Sequence, residues 1–315
     1  MLGIFFYKNK IIVCENFFIK YGNTFDTLIV NIYQSVKKGG KRHMIIGIDV
    51  GNYYTKTSKM ISFMSKVSNV GGILTSDPIT IEGKTMYLGE GEPDTEYRKA
   101  YKETYLYLLL GAIKRSSNDK DNKIVVGLPL SQYKTDRGYL TNRILQSGIV
   151  KDVLIQPEGA IAVDSNYTGI VVDIGGGTTD ICLIVQEGNR RKIVQPYSIP
   201  KGILNLESEF INKINAEHGL DLQPVDADRI IKNCLYVYGE KKNFSMDIYK
   251  EFVESLVRRI QVDYSLKTNN ITLVGGGACK LYMAFKNRIP QAQIIENSFY
   301  ANAIAYENVG KKVWG

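Results

Sequence analysis

Histidine is almost absent from this chain of 315 residues, where only His43 and His218 occur. A His-based catalytic triad, or a zinc site built on imidazole, has little to draw on. Cysteine is scarce as well. Cys14, Cys182, Cys234 and Cys279 are scattered with no CxxC pair, so no disulfide framework is expected and reduced thiols suit a cytoplasmic protein. No apolar run approaches the roughly 18–20 residues that a membrane span needs. What remains is ordinary for a globular protein, 44% hydrophobic and 23% charged, and long enough for two cores.

Acidic charge is in mild deficit, giving a net +8, but the excess is uneven. Residues 1–43 carry seven Lys/Arg against Glu15 and Asp26, leaving 33 basic and 30 acidic residues for the body. The body is therefore near balance, and no direct contact with nucleic acid is expected of it. Residues 3–13 have strand-like composition without a clear period. Charges interrupt them, so they make neither a signal peptide nor an amphipathic anchor. Lys38-Gly39-Gly40 can be encoded by a purine-rich stretch resembling a bacterial ribosome-binding site, and Met44 follows closely. The expectation is that Met44 is the native start and 1–43 a translated leader; a genuine extension is the alternative.

The body says nearly the same thing twice. Ile46-Gly47-Ile48-Asp49-Val50-Gly51-Asn52-Tyr53-Tyr54-Thr55-Lys56 reads as apolar strand, aspartate, glycine turn and second strand. Val171-Val172-Asp173-Ile174-Gly175-Gly176-Gly177-Thr178-Thr179-Asp180 reads likewise. Copies this far apart suggest two similar halves facing one ligand. Each places a carboxylate at a strand end, followed by glycines that let backbone N–H groups approach phosphate oxygens. Both aspartates suit a magnesium ion held through water. Two unrelated strand-end aspartates capping turns are the bland alternative.

A third signal, Gly275-Gly276-Gly277-Ala278, follows the apolar Ile271–Val274 and opens a helix, where small residues admit a flat ligand or a phosphate. Glu158, in Gln156-Pro157-Glu158-Gly159-Ala160, could orient a water for attack on a terminal phosphate; a glutamate favoured by a helix N-terminus is the alternative. Around these motifs, hairpins are expected at 45–60. A helix is expected over 95–114 from the spacing of Tyr97, Tyr101, Tyr105, Leu108 and Ala112. A strand at 123–128 and a helix at 133–147 follow, and Pro157 is expected to open a helix over 157–163. Strands at 168–174, 179–187, 191–198 and 271–274 and helices at 203–217, 246–266, 278–287 and 299–309 complete an α/β chain.

In this order the three signals resemble the two phosphate motifs and the adenosine motif of the actin–hexokinase–chaperone ATPase superfamily. Val126-Gly127-Leu128-Pro129-Leu130, Ser198-Ile199-Pro200-Lys201-Gly202 and Asn297-Ser298-Phe299-Tyr300-Ala301-Asn302-Ala303 make the chain similar to the bacterial actin-like ParM/AlfA group of plasmid-segregating filament proteins. The resemblance spans about 44–309. It implies an actin-like (ribonuclease H-like) two-lobed fold with nucleotide in the cleft: lobe I at 44–163, lobe II at 164–298, and a helix at 299–315 returning toward lobe I. It implies that Asp49 and Asp173 position Mg²⁺, and that Glu158 and Asp173 serve the chemistry. Gly51, Asn52, Tyr53, Thr55 and Lys56 would hold one side of the phosphates, and Gly175, Gly176, Gly177 and Thr178 the other. Gly275, Gly276, Gly277 and Ala278 would border the adenosine, with Gly202 and Lys201 nearby. Tyr53 and Tyr54 stand where many relatives carry small residues.

The function so implied is a cytoplasmic, filament-forming ATPase, with GTP not distinguished from ATP. It would assemble with itself and move plasmid or phage DNA through a small DNA-binding adaptor. Two rivals share the superfamily: a small-molecule kinase and a non-filamentous ATPase scaffold.

Overall fold

Two runs of branched apolar residues, each ending in an aspartate, form the centres of two five-stranded sheets. The computed structural model describes residues 5–7, 10–12, 44–72, 77–119, 121–188 and 190–315. Contacts divide the chain into Met1–His43 and Met44–Gly315. In the first unit β1 (Phe5–Tyr7) pairs antiparallel with β2 (Lys10–Ile12). The other residues of 1–43, on which the leader expectation rests, lie outside the described residues.

In the second unit β3 (Ile45–Val50) turns back into β4 (Tyr54–Thr57) and β5 (Ser62–Met64). A small side sheet of β6 (Lys66–Ser68), β7 (Pro78–Ile81) and β8 (Lys84–Pro93) follows. Next come α1 (Tyr105–Ser116), β9 (Lys123–Leu128), α2 (Leu130–Gln146) and β10 (Asp152–Pro157). The first sheet runs β10-β9-β3-β4-β5, with β3, β9 and β10 parallel. Tyr105, Leu108, Leu109, Ala112 and Ile113 repeat at helical spacing, so α1 offers one apolar stripe. That stripe meets Ile46, Ile48 and Val50, the alternate residues of β3.

The second sheet begins with β11 (Gly169–Ile174), β12 (Thr179–Glu187) and β13 (Arg190–Ile199). Then come α3 (Ile203–His218), α4 (Ala227–Asn233), the hairpin of β14 (Leu235–Val237) and β15 (Glu240–Lys242), and α5 (Asp247–Asp263). β16 (Ile271–Val274), α6 (Gly276–Arg288), β17 (Ala292–Ile294) and α7 (Ala301–Trp314) close the chain. The order is β13-β12-β11-β16-β17. Val172 and Ile174 of β11 pack with Phe210, Val253, Leu273 and Phe285 in the second core.

Two expectations need correction. The helix over 95–114 starts only at Tyr105. Residues 99–101 form a short 3-10 turn, and Tyr97 and Tyr101 are exposed. Pro157 ends β10 and opens no helix: Gly159 takes a left-handed φ of +67°, which breaks any helical run through 157–163. The β14–β15 hairpin was not expected from the sequence. Among the described residues no helix is long and apolar enough to cross a membrane, and Cys182, Cys234 and Cys279 are free thiols.

The last helix crosses the face of β3 opposite α1. It comes close because β3 carries glycine there: a Cβ on Gly47 would run into the Ala303 carbonyl and sit 2.6 Å from the Glu307 nitrogen. Both are backbone atoms, which cannot swing aside. Gly47→Ala is expected to lower the unfolding free energy by about 3 kcal/mol. Gly138→Ala, in the interior of α2 with nothing within 4 Å of its Cβ, should raise it by up to ~1 kcal/mol. Urea melts of the two variants check the contrast.

Candidate functional site

Each central sheet ends in the same device. Asp49 sits near the end of β3, paired in register with Lys56; Asp173 sits near the end of β11, paired with Asp180. Both connecting loops close with one backbone hydrogen bond from the glycine two residues after the aspartate. Gly51 N donates to Tyr54 O at 3.1 Å, and Gly175 N donates to Thr178 O at 2.9 Å. The loops face each other and touch. A Cβ on Gly176 would lie 2.6 Å from Cβ of Tyr53, and one on Gly177 would lie 2.7 Å from Nδ2 of Asn52.

Between them opens a cavity of about 740 Å³, large enough for a nucleotide-sized ligand. Four buried carboxylates reach it, Asp49, Glu158, Asp173 and Asp180, and a fifth, Asp228, lies half-buried on its wall. Two lysines answer the first pair. Lys56 Nζ lies 2.8 Å from Asp49 Oδ2. Lys99 Nζ lies 3.4 Å from Asp49 Oδ1 and forms a close ion pair with Glu158 Oε1. Burial works to raise Asp49, but the two ammonium groups outweigh it and hold the carboxyl below its ordinary value. Burial would lower Lys99; Glu158 and Asp49 overcome that and keep it cationic. Burial pushes Glu158 up to about 8, against the pull of Lys99.

The second pair relies on neutral donors. Asn302 Nδ2, from α7, donates to Asp173 Oδ2 at 2.7 Å, while its Oδ1 accepts from Gly159 N at 2.9 Å. Asp180 accepts from the Ser198 hydroxyl, from Leu130 N at 3.1 Å and from Thr178 Oγ1 at 3.3 Å. Burial pushes Asp173 up to about 6, with the Asn302 amide opposing. It raises Asp180 as well. At the far end Ile203, Ile231, Met246 and Tyr249 form an apolar wall. Beside it Lys280 pairs with Glu207 and, at 2.8 Å, with Asp228.

Most residues singled out in the sequence come together here. Asp49, Gly51, Asn52, Tyr53, Lys56, Glu158, Asp173, Gly175, Gly176, Thr178, Gly275, Gly276 and Gly277 line the cavity. Gly275 takes φ +92°, and a Cβ there would strike Asp173. Five do not reach the wall. The Thr55 hydroxyl is buried against Ser65 Oγ at 2.9 Å. Ala278 lies in the second core. Gly177 abuts Asn52, and Gly202 backs the loop, with Ile203 N and Leu204 N donating to the carbonyls of Gly175 and Gly176. The N–H groups that open α3 are thereby engaged by protein. Lys201 is exposed, 3.5 Å from Glu209.

Sequence reasoning missed Lys99, Asn302, Asp180 and the Lys280 cluster as members of the site. Asp180 repeats the place of Lys56 in the second hairpin, a signal available from the repeat. Lys99 had none, since it lay inside an expected helix. Among the described residues no three acidic, histidine or cysteine side chains converge closely enough to hold a metal by themselves.

Residues 47–166 match the family model "Actin like proteins N terminal domain". No curated protein matches the chain. Among solved structures it is similar to the archaeal actin homolog Ta0583 in complex with ADP: 17% identity, TM-score 0.71, covering 85% of this chain and 99% of that one. It is similar to ParM from a 15-stranded filament of Clostridium botulinum (20% identity, TM-score 0.68, 86% and 99% covered). It is also similar to the Alp12 filament protein (17%, 0.59, 87% and 100%). These findings bear out the resemblance to bacterial actin-like proteins of the ParM kind, and the fold is the actin-like two-lobed α/β fold.

The raised Asp173 gives a test on the ligand-free protein. Between about pH 4 and 6 the folded state holds a proton that the unfolded chain has released. Its contribution to stability therefore falls as pH rises through that window and stays low at neutrality. Asp173→Asn removes the charge and can still accept from Asn302. The nucleotide-free variant should melt roughly 4–8 °C higher near pH 7. The gap should shrink toward about pH 5, where the wild-type carboxyl is itself mostly protonated. Calorimetry across pH checks both parts.

Proposed function

We propose that the chain binds ATP with Mg²⁺ in the cleft, hydrolyses it slowly, and uses the cycle to assemble and release filaments of itself in the cytoplasm. The observation that carries this is the pair of matched aspartate–glycine loops facing each other across a cavity of about 740 Å³. Glycine-lined backbone on both sides suits a triphosphate, and Lys56 adds a cation beside it. The apolar wall at Ile203, Ile231, Met246 and Tyr249 suits a base.

The carboxylates fit a hydrated Mg²⁺. They offer hard oxygen donors, and around the two loops four buried carboxylates meet two buried lysines, Lys56 and Lys99. Asp49 and Asp173 would hold its waters, and the ion would neutralise charge on the phosphates. Glu158, held as a carboxylate by its ion pair with Lys99 against the burial that raises its proton affinity, would accept a hydrogen bond from the attacking water and orient it. Loss of the terminal phosphate removes a contact shared by both loops, which favours a different lobe arrangement and loosens the polymer.

Self-assembly draws support from the likeness to ParM and Alp12, both solved as filaments. Carriage of plasmid or phage DNA through a separate DNA-binding adaptor is the finer reading, supported by the ParM resemblance and the near-neutral body. Sedimentation with ATP and Mg²⁺, with phosphate release measured in parallel, tests the proposal. ATP-dependent pelleting with slow turnover is expected. Turnover only with an added acceptor would instead indicate a kinase, and turnover without pelleting a scaffold. Glu158→Gln should slow phosphate release about 100-fold while pelleting with ATP persists longer. Unchanged turnover would remove Glu158 from the mechanism.

A further inference from the structure

Lys99 is the least expected member of the cleft. Its side chain is 5% exposed, and it rises from a three-residue turn rather than from a strand or a helix. That turn is held by side chains of α2 at several points. Lys99 N donates to Gln132 Oε1 at 2.9 Å, and Gln132 Nε2 donates to Tyr97 O at 3.1 Å. Arg98 Nε donates to Asp136 Oδ2 at 3.2 Å. Arg143 donates to the carbonyls of Ala100 at 2.6 Å and Lys102 at 2.8 Å. A buried ammonium costs several kcal/mol to desolvate, and an irregular turn pinned this heavily fixes one such group in one place.

What it meets there is unequal. Lys99 forms a close pair with Glu158 Oε1, while Asp49 is looser at 3.4 Å and has Lys56 at 2.8 Å on its other oxygen. Among the described residues no protein donor engages Glu158 Oε2. A carboxylate tethered by one oxygen, with the other free, is arranged to hold a water in a set direction.

We propose that Lys99 is a positioning residue for hydrolysis: its ammonium fixes the Glu158 carboxylate by Oε1 and leaves Oε2 to aim the attacking water. This rests on the reading of the cleft as an ATP-hydrolysing site. Lys99 acts through Glu158 and does not serve as a phosphate ligand. Its looser contact with Asp49, at 3.4 Å, would be the one given up if that carboxylate held the waters of a metal ion.

The test compares full-length wild type with Lys99→Met, Lys99→Arg and Lys99→Met/Glu158→Gln. Three quantities are measured: affinity for a fluorescent ATP analogue with Mg²⁺, steady-state kcat and KM for ATP, and melting of the nucleotide-free proteins. Lys99→Met is expected to bind within about threefold of wild type and to keep its KM, while kcat falls about 100-fold. Lys99→Arg should recover at least about a tenth of the wild-type kcat, since it restores a cation beside Oε1. Without nucleotide, Lys99→Met should melt below wild type. Adding Glu158→Gln should restore the melting temperature, because it removes the carboxylate left without its cation. A kcat within about twofold of wild type in a folded Lys99→Met protein overturns the inference and leaves the cleft reading standing. A loss of affinity as large as the loss of kcat overturns it too, by making Lys99 a nucleotide ligand. A double variant no more stable than Lys99→Met breaks the proposed link to Glu158. If wild type neither binds nor hydrolyses ATP, the cleft reading falls first and this inference with it.

Discussion

Carboxylates buried together repel one another and resist desolvation, and four of them share the floor of this cleft. Asp49 and Glu158 are answered by Lys56 and Lys99. Asp173 and Asp180 have only an amide, hydroxyls and one backbone N–H. The floor is thus short of positive charge on the side of the second sheet, where burial pushes both aspartates toward the protonated form. Such an arrangement is unfavourable for an empty protein and survives because two rigid sheets enforce it. It also creates a standing demand for a cation at the point where the two loops meet. On the proposed reading, the same deficit that weakens the fold selects a metal-bound triphosphate over a bare one.

The floor is tied to both sheets by α7. This helix packs on β3 of the first lobe, where Gly47 admits Ala303 and Glu307. From the same turn it sends Asn302 to Asp173 of the second lobe and to Gly159. Asp180 makes a second crossing, receiving the N–H of Leu130 at the start of α2. A change of charge or ligand at either aspartate therefore pulls on an element belonging to the opposite lobe. Packed helices and strands move as units rather than bend; on the proposed reading these crossings, with Ser131 N to Ser198 Oγ at 3.4 Å and Arg191 to the Val163 carbonyl at 3.1 Å, are where cleft chemistry would reach both lobes.

How much of this was legible in the sequence follows from how local each feature is. β3 and β11 were readable because unbroken branched residues, an aspartate and a glycine turn specify strand, end and reversal within about ten positions. The stripe of α1 was readable for the same reason, but its extension back to Tyr97 was not correct. Tyr97 and Tyr101 keep the spacing of the stripe, yet they lie before the helix and face solvent. What shapes residues 98–102 is their contact with Gln132, Asp136 and Arg143, some forty positions away. A periodicity argument cannot weigh such contacts, so Lys99 stayed hidden in the part of the expected helix that does not form. Pro157 misled in the opposite direction. Its fixed φ also suits the end of a strand, and Gly159 with its left-handed backbone decides the matter. Glu158 thereby gains a tight turn rather than a helix start, which removes the helix dipole as the reason for its presence.

The tyrosines of the first loop set this cleft apart from one closed by ligand contacts alone. Tyr53 leaves the first lobe and packs its ring against the second core. Tyr54 lies 4.8 Å from it, ring to ring, and meets Phe299 edge-on at 5.5 Å. Lys56 in turn stands 5.1 Å from the Phe299 ring. Aromatic contacts of this kind are each worth about 1 kcal/mol beyond the area they bury, and none depends on a charge being bound nearby. The loop that would grip phosphates on the proposed reading is therefore already attached by Tyr53 to the second core through apolar surface. Small residues at these positions would leave closure to the ligand; rings hold the two loops in register before it arrives. On the proposed reading, ligand binding would then work against, or with, a contact of fixed strength, and how the two loops meet would depend on Tyr53, Tyr54 and Phe299 as much as on the charges below them.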